Sequence, residues 1–186
     1  WSDPVTRAIL LIVAAVDFSF VGPFNVGLAS LADHRFVGGP VAFGTLLSVW
    51  GGGALLGTLV AGLIGQPRHR GQLLLAIAGA LGAGLSLLGI VPNVVLASVV
   101  IGAMGLGSGF VNVVMIAWLQ GRTDPQMLGR VMSLVMLASL GLAPLSFAIA
   151  GALVDLHATL LFAAAGAIVL LATGVSATNR RVRTID

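Results

Sequence analysis

The sequence has no cysteine, no lysine and no glutamate, and only 8% of its 186 residues are charged. Without cysteine there are no disulfides, no thiolate metal sites and no cysteine nucleophile. The scarcity of charge excludes more. A soluble domain carries about 25% charged residues, whereas here nine arginines and six aspartates serve a chain of 18.8 kDa. That is too little charge to solvate a globule in water. The rest is correspondingly apolar, at 58% hydrophobic residues and a mean hydropathy of +1.11. Alanine, glycine, valine and leucine in abundance, with lysine and glutamate absent, are the composition of a GC-rich bacterial genome. The sequence pI of about 11.5 raises nucleic acid as a partner. The arginines, however, lie in small groups between long apolar runs, with no basic stripe and no interleaved aromatics, so no nucleic acid is expected.

A membrane-spanning helix needs about 20 mostly apolar residues to cross a hydrocarbon core of roughly 30 Å. Residues 36–67, 71–121, 131–154 and 158–179 contain no Asp or Arg, and 8–31 contains only Asp17. The run 71–121 is long enough for two helices, divided at Val91-Pro92-Asn93 because proline starts a helix well and interrupts one badly. The expectation is an all-α membrane protein with six transmembrane helices at about 8–31, 41–64, 72–90, 94–119, 130–154 and 158–177. A tail follows over 178–186. The first residues, Trp1-Ser2-Asp3-Pro4, lack the basic n-region of a signal peptide. They read as the start of one piece of a longer polypeptide.

The connections test this count independently of hydropathy. Arg7, Arg68, Arg70, Arg122, Arg130, Arg180, Arg181 and Arg183 fall in alternate connections and the two ends, and the intervening loops hold only Arg35. Arginine-rich connections stay in the cytoplasm, so both termini are expected to be cytoplasmic. Glycines recur at small-xxx-small spacing in Gly53-Ala-Leu-Leu-Gly57 and Gly105-Leu-Gly-Ser-Gly109. In lipid this spacing lets helix backbones approach closely, and these four glycines are expected at helix contacts.

An ionisable group near mid-bilayer costs at least ~2.5–3.5 kcal/mol on insertion scales and usually faces a cavity or a partner. Asp17, ten residues beyond Arg7, lies about 15 Å into the membrane by helical rise. It is a candidate proton-titrating group or contact for a cationic substrate. No arginine lies at a matching depth. Asn25 follows after an expected kink at Gly22-Pro23. In the fourth helix Met104, Ser108 and Asn112 recur at i, i+4 and i+8 beside a face of Gly102, Gly105 and Gly109. One face would open to a cavity while the other presses against a helix. Ser108 and His157 are the residue types of a hydrolytic pair, but the topology separates them, and no third group orients the histidine. No catalytic residue, metal or cofactor is expected, and the chain is read as no enzyme.

The stretch Gly38-Gly-Pro-Val-Ala-Phe-Gly-Thr-Leu-Leu-Ser-Val-Trp-Gly-Gly-Gly-Ala-Leu-Leu-Gly57 resembles the outer loop and eighth helix of major facilitator superfamily exporters. Leu119-Gln-Gly-Arg-Thr-Asp-Pro-Gln-Met-Leu-Gly-Arg-Val-Met-Ser133, followed by Leu140-Gly-Leu-Ala-Pro144, is similar to the loop and eleventh helix of the branch with macrolide-efflux and enterobactin-exporter-like proteins. Gln120, Pro125, Gly129, Arg130, Val131 and Ser133 match the branch's pattern in that loop. The basic loop Gly65-Gln-Pro-Arg-His-Arg-Gly71 departs from the family's by lacking its acidic member.

The resemblance covers the C-terminal half of a twelve-helix fold, built as two inverted three-helix repeats. It implies a secondary-active, proton-coupled exporter in the bacterial inner membrane, moving hydrophobic or amphipathic small molecules by alternating access. The first and fourth helices, with Asp17, Asn25, Ser108 and Asn112, would line the cavity. The second and fifth would meet the missing N-terminal half. Protons, a small-molecule substrate, the lipid bilayer and that half are the implied partners. The alternative is a complete six-helix protein, either a homodimeric pore or an intramembrane hydrolase.

Overall fold

In lipid no water pairs with the backbone, so each segment must satisfy its own N–H and C=O groups, and a helix does so internally. The computed structural model describes residues 16–65, 70–122, 126–154 and 157–178; these are almost entirely helical, with no strand among them. The first element, α1, is helical over 16–34 and has a π-helical segment, Pro23–Gly27, in its middle. Then come α2 (Pro40–Ile64), α3 (Arg70–Leu88), α4 (Val94–Arg122), α5 (Leu128–Val154) and α6 (Ala158–Thr178). These bounds track the apolar runs. The differences lie at the ends, where α3 stops before a turn at Gly89-Ile90 and α4 continues to Arg122. Residues 8–15 of the expected first helix lie outside the described residues.

Local chemistry sets the ends. After α1 the chain reverses through Gly38 and Gly39, whose φ values of 114° and 48° are open to glycine and strained for other residues. Pro40 then occupies the first turn of α2, where its missing N–H costs nothing. At the start of α4 the Asn93 side chain accepts a hydrogen bond from the Leu96 amide at 2.9 Å, an N-cap.

Among the described residues four helices are long and apolar enough to cross a membrane: Pro40–Ile64, Gly71–Leu88, Val94–Gly121 and Ala158–Ala177. Large side chains on them, among them Leu55, Leu59, Leu63, Leu171 and Val175, are exposed, a surface that lipid covers and water would not. The chain is a multi-pass membrane protein.

Helix directions follow from which residues meet. Gly53 lies against Gly102 and Gly57 against Leu106, so α2 and α4 run parallel. Gly82 lies against Gly166 and Gly89 against Thr159, so α3 and α6 run antiparallel. Gly84 meets Met104 while Gly107 meets Ile77, so α3 and α4 are antiparallel as well. The larger core cluster joins Phe24, Leu28 and Leu31 of α1 to Leu46 of α2, Leu81, Leu85 and Leu88 of α3, Ala97, Ile101 and Met104 of α4, and Phe162 and Ala165 of α6. Phe20, Phe24 and Trp50 stack or tilt against one another with ring centroids 4.8–5.0 Å apart, fastening α1 to α2.

Candidate functional site

The π segment explains how α1 carries its polar residues. Pro23 has no N–H to return to the Ser19 carbonyl, and one residue earlier a side chain from another helix joins the ladder. The Ser146 hydroxyl of α5 accepts a hydrogen bond from the Gly22 amide at 2.9 Å and donates to the Phe18 carbonyl. Those two backbone groups are the i, i+4 pair that would bond directly in an unbroken helix. A side chain from a neighbouring helix thus engages both members of one ladder step. At the expected kink position, Gly22-Pro23, the α-helix gives way to the π segment.

Asp17 is half-buried one residue before that step, and a neighbouring group engages it. Asn25 is exposed, and its side-chain amide donates to the Val21 carbonyl at 2.8 Å. It therefore closes the backbone of the π segment on one side and leaves only its carbonyl oxygen for anything else.

On α4 the stripe grades from inside to outside. Met104 is buried against Gly84 of α3, Ser108 is half-buried and Asn112 is exposed. The adjacent face is pressed against α2. A methyl group on Gly105 would come within 2.5 Å of the Trp50 carbonyl oxygen, and one on Gly109 would overlap the Ala54 carbonyl. From the other side, a methyl on Gly53 would overlap the Gly102 carbonyl and one on Gly57 the Leu106 carbonyl. All four glycines lie where backbones touch.

Asp17, Asn25, Ser108 and Asn112 do not line the cavity found among the described residues, which lies between α1, α5 and α6. It measures about 40 Å³ and is walled by Phe18, Ser19, Pro23, Ser146, Ile149 and Leu161 among others. Ser19 is 1% exposed, and its hydroxyl has no hydrogen-bond partner among the described residues.

Of the loop motif, Gln120 is exposed near the end of α4, and Gly129 and Arg130 are exposed in the first turn of α5. The Arg130 carbonyl accepts the Ser133 hydroxyl at 2.9 Å. Pro125, Arg7, Arg68 and the arginines of the tail lie outside the described residues. His157 is exposed at the turn into α6, whereas Ser108 is midway along α4. Among the described residues no cluster of three His, Asp or Glu side chains is arranged to hold a metal.

Sequence reasoning passed over Ser146 and Ser19. The available signal was Pro144, the proline inside α5, two residues before a serine in an otherwise apolar run. Pro144 and Pro23 place a helix defect on each side of the same crossing. No protein-family model matches this chain, and no curated protein matches it.

Proposed function

We propose that this chain is the six-helix C-terminal half of a bacterial proton-coupled exporter of the major facilitator type, moving hydrophobic or amphipathic small molecules by alternating access. The observation that carries this reading is the repetition of contacts between the first three helices and the last three. Gly57 of α2 rests on the Leu106 carbonyl and the Phe110 amide, an i, i+4 pair of α4. Ser146 of α5 rests in the same manner on the Phe18 carbonyl and the Gly22 amide, an i, i+4 pair of α1. An operation exchanging α1 with α4 and α2 with α5 interconverts these two contacts. It must also exchange α3 with α6, and there the contact is reciprocal: a methyl on Gly82 would meet the Gly166 carbonyl, and one on Gly166 the Gly82 carbonyl. Reciprocity of that kind belongs to a two-fold axis. Repeats of three crossings start from opposite membrane faces, so the second is inverted, as in many secondary transporters.

The helix directions support six crossings. Because α4 and α6 both run opposite to α3, the α5 that joins them must return across the membrane. Its 27 residues span about 40 Å at helical rise, enough for the hydrocarbon core. The connections after α2 and after α4 then share one face of the membrane. Arg70, Arg122 and Arg130 sit in or beside these connections and Arg35 at the opposite face, which supports a cytoplasmic position for the arginine-rich side.

In such folds substrate binds at the midplane between two halves. The half-buried Asp17 and Ser108 and the exposed Asn25 and Asn112 fit one wall of a cavity that another six helices complete. α2 is the least covered of the four apolar spans, with 17% of its central window buried, in keeping with a face reserved for the other half.

The test is transport by the full polypeptide containing this chain, reconstituted in vesicles with a pH gradient imposed. Gradient-driven movement of an amphipathic fluorescent compound is the expected result. Flux that ignores the gradient, or its absence with correctly inserted protein, would overturn the proposal.

A further inference from the structure

The α1–α5 crossing differs from its counterpart in a way that the repeat makes visible. At the α2–α4 crossing a glycine, Gly57, lies on an unbroken α4, and the described stretches of both helices are free of proline once past Pro40. At the α1–α5 crossing a serine takes the glycine's place. Its hydroxyl bonds to both backbone groups of that pair. Pro23 opens a π segment on one helix, and Pro144 interrupts the other. The ladder of α1 thus depends at this point on a side chain from another element.

Such dependence has a consequence inside a membrane. If α1 moves away from α5, the Phe18 carbonyl and Gly22 amide lose the Ser146 hydroxyl in a place where no bulk water replaces it. The cavity beside them supplies what is needed for a substitute. Its volume of about 40 Å³ is above the ~10–15 Å³ of accessible space that seats one water. Its walls are apolar except near Ser19 and Ser146. The Ser19 hydroxyl lines it, is 1% exposed and has no partner among the described residues. Buried hydroxyls are normally satisfied. Ser146 can itself accept one further bond, because its oxygen has two lone pairs and uses one for Gly22.

We propose that this cavity is a binding site for a single water molecule, held by Ser19 and Ser146. We further propose that this water and the Ser146 hydroxyl are interchangeable partners for this step in the ladder of α1. The exchange lets the part of α1 before Pro23 move against α5 with its backbone satisfied throughout, while the 28–34 part stays in the core. The α2–α4 crossing, with an intact ladder and no hydroxyl, is the fixed counterpart. Nothing in this inference requires that the chain transports anything.

The experiment is magnetisation transfer from water to the protein by solid-state NMR in lipid bilayers, together with amide exchange, on the full chain. In the wild type, transfer is expected at the Ser19 side chain and absent at Phe110. In Ser19→Ala, transfer at this site should be lost while α1 stays helical. In Ser146→Ala, water should take over both bonds. Gly22 should then gain direct transfer and its amide should exchange about tenfold faster, the size of one ordinary hydrogen bond. Phe110 should not change. A dry Ser19 in the wild type overturns the water site, and this arm needs no variant to fold. A Gly22 amide in Ser146→Ala that stays protected and out of contact with water overturns the exchange, because α1 would then have closed its own ladder. Should Ser146→Ala fail to fold, Ser146→Thr keeps the hydroxyl and must restore both folding and the wild-type transfer; failure of that rescue also counts against the proposal.

Discussion

Arg35, at the end of α1, donates from its guanidinium to the Gly89 carbonyl at the end of α3, at 2.7 Å. The same side chain reaches the Thr159 hydroxyl in the first turn of α6 at 3.1 Å, and Thr159 in turn donates to Gly89. Three helix ends are tied by one cation, which also faces the negative end of the α3 dipole. Arg35, which stands apart from the other arginines in the sequence, thus serves as a fastening between helices, so its position need not obey a topology bias. Arg35→Gln should lower thermal stability in detergent by about 1–3 kcal/mol, the usual worth of a charged hydrogen bond, with insertion and orientation unchanged. An inverted orientation in that variant would show that the residue acts on topology after all.

Glycines on the same helix should differ sharply in tolerance. Gly57→Ala puts a methyl into the backbone of α4, whereas Gly62→Ala on α2 meets nothing within 4 Å. The first should cost ~1–3 kcal/mol by overpacking, and leucine there should deplete folded protein from the membrane. The second should be neutral or gain up to ~1 kcal/mol in helix propensity. Thermal denaturation of the two purified variants side by side separates them. Equal stabilities would mean that α2 and α4 do not meet at Gly57.

Reporter fusions examine the orientation. Fusions after residues 67 and 124 should report the cytoplasm, and those after 36 and 156 the outside. Because α2 and α4 run parallel through contacts such as Gly53 with Gly102, the first two must agree with each other whatever the absolute orientation. A disagreement would break the packing as well as the topology.

The positions of the helices were legible because the bilayer fixes a length, and runs such as 36–67 either reach it or do not. The α2–α4 contact was legible because close backbone approach in lipid admits only small residues, and Gly53, Gly57, Gly105 and Gly109 repeat at one turn. Glycine alone does not say which face is covered: Gly51, Gly52 and Gly62 share α2 with Gly57 and have nothing within 4 Å. The stripe on α4 was legible as a stripe, but its first member, Met104, fills the space over Gly84 of α3, since a stripe longer than a turn curves round the helix towards another neighbour. The π segment showed only as Gly22-Pro23. Its partner, Ser146, lies 124 residues away, and no local pattern ties a serine on one helix to a ladder step on another.

Asp17 carries the sharpest prediction for coupling. It is half-buried and engaged by a neighbour, directly before Phe18, whose carbonyl is bound by Ser146. A carboxylate inside a membrane protein is costly unless it is engaged, so a change in its partner bears on the stability of this part of α1. Asn has nearly the shape of Asp and does not titrate. If the chain is half of an exporter as proposed, Asp17→Asn in the full polypeptide should leave insertion and folded yield intact and reduce pH-gradient-driven efflux to the level of vesicles without protein. Substrate exchange with no gradient separates the two roles open to the residue. If exchange persists while driven efflux is lost, Asp17 carries the proton. If both are lost, it contacts the substrate, and a permanently charged cationic compound should be the one whose binding falls most. Driven efflux at the wild-type rate would leave Asp17 as a hydrogen-bonding residue between helices and move coupling to groups outside this chain.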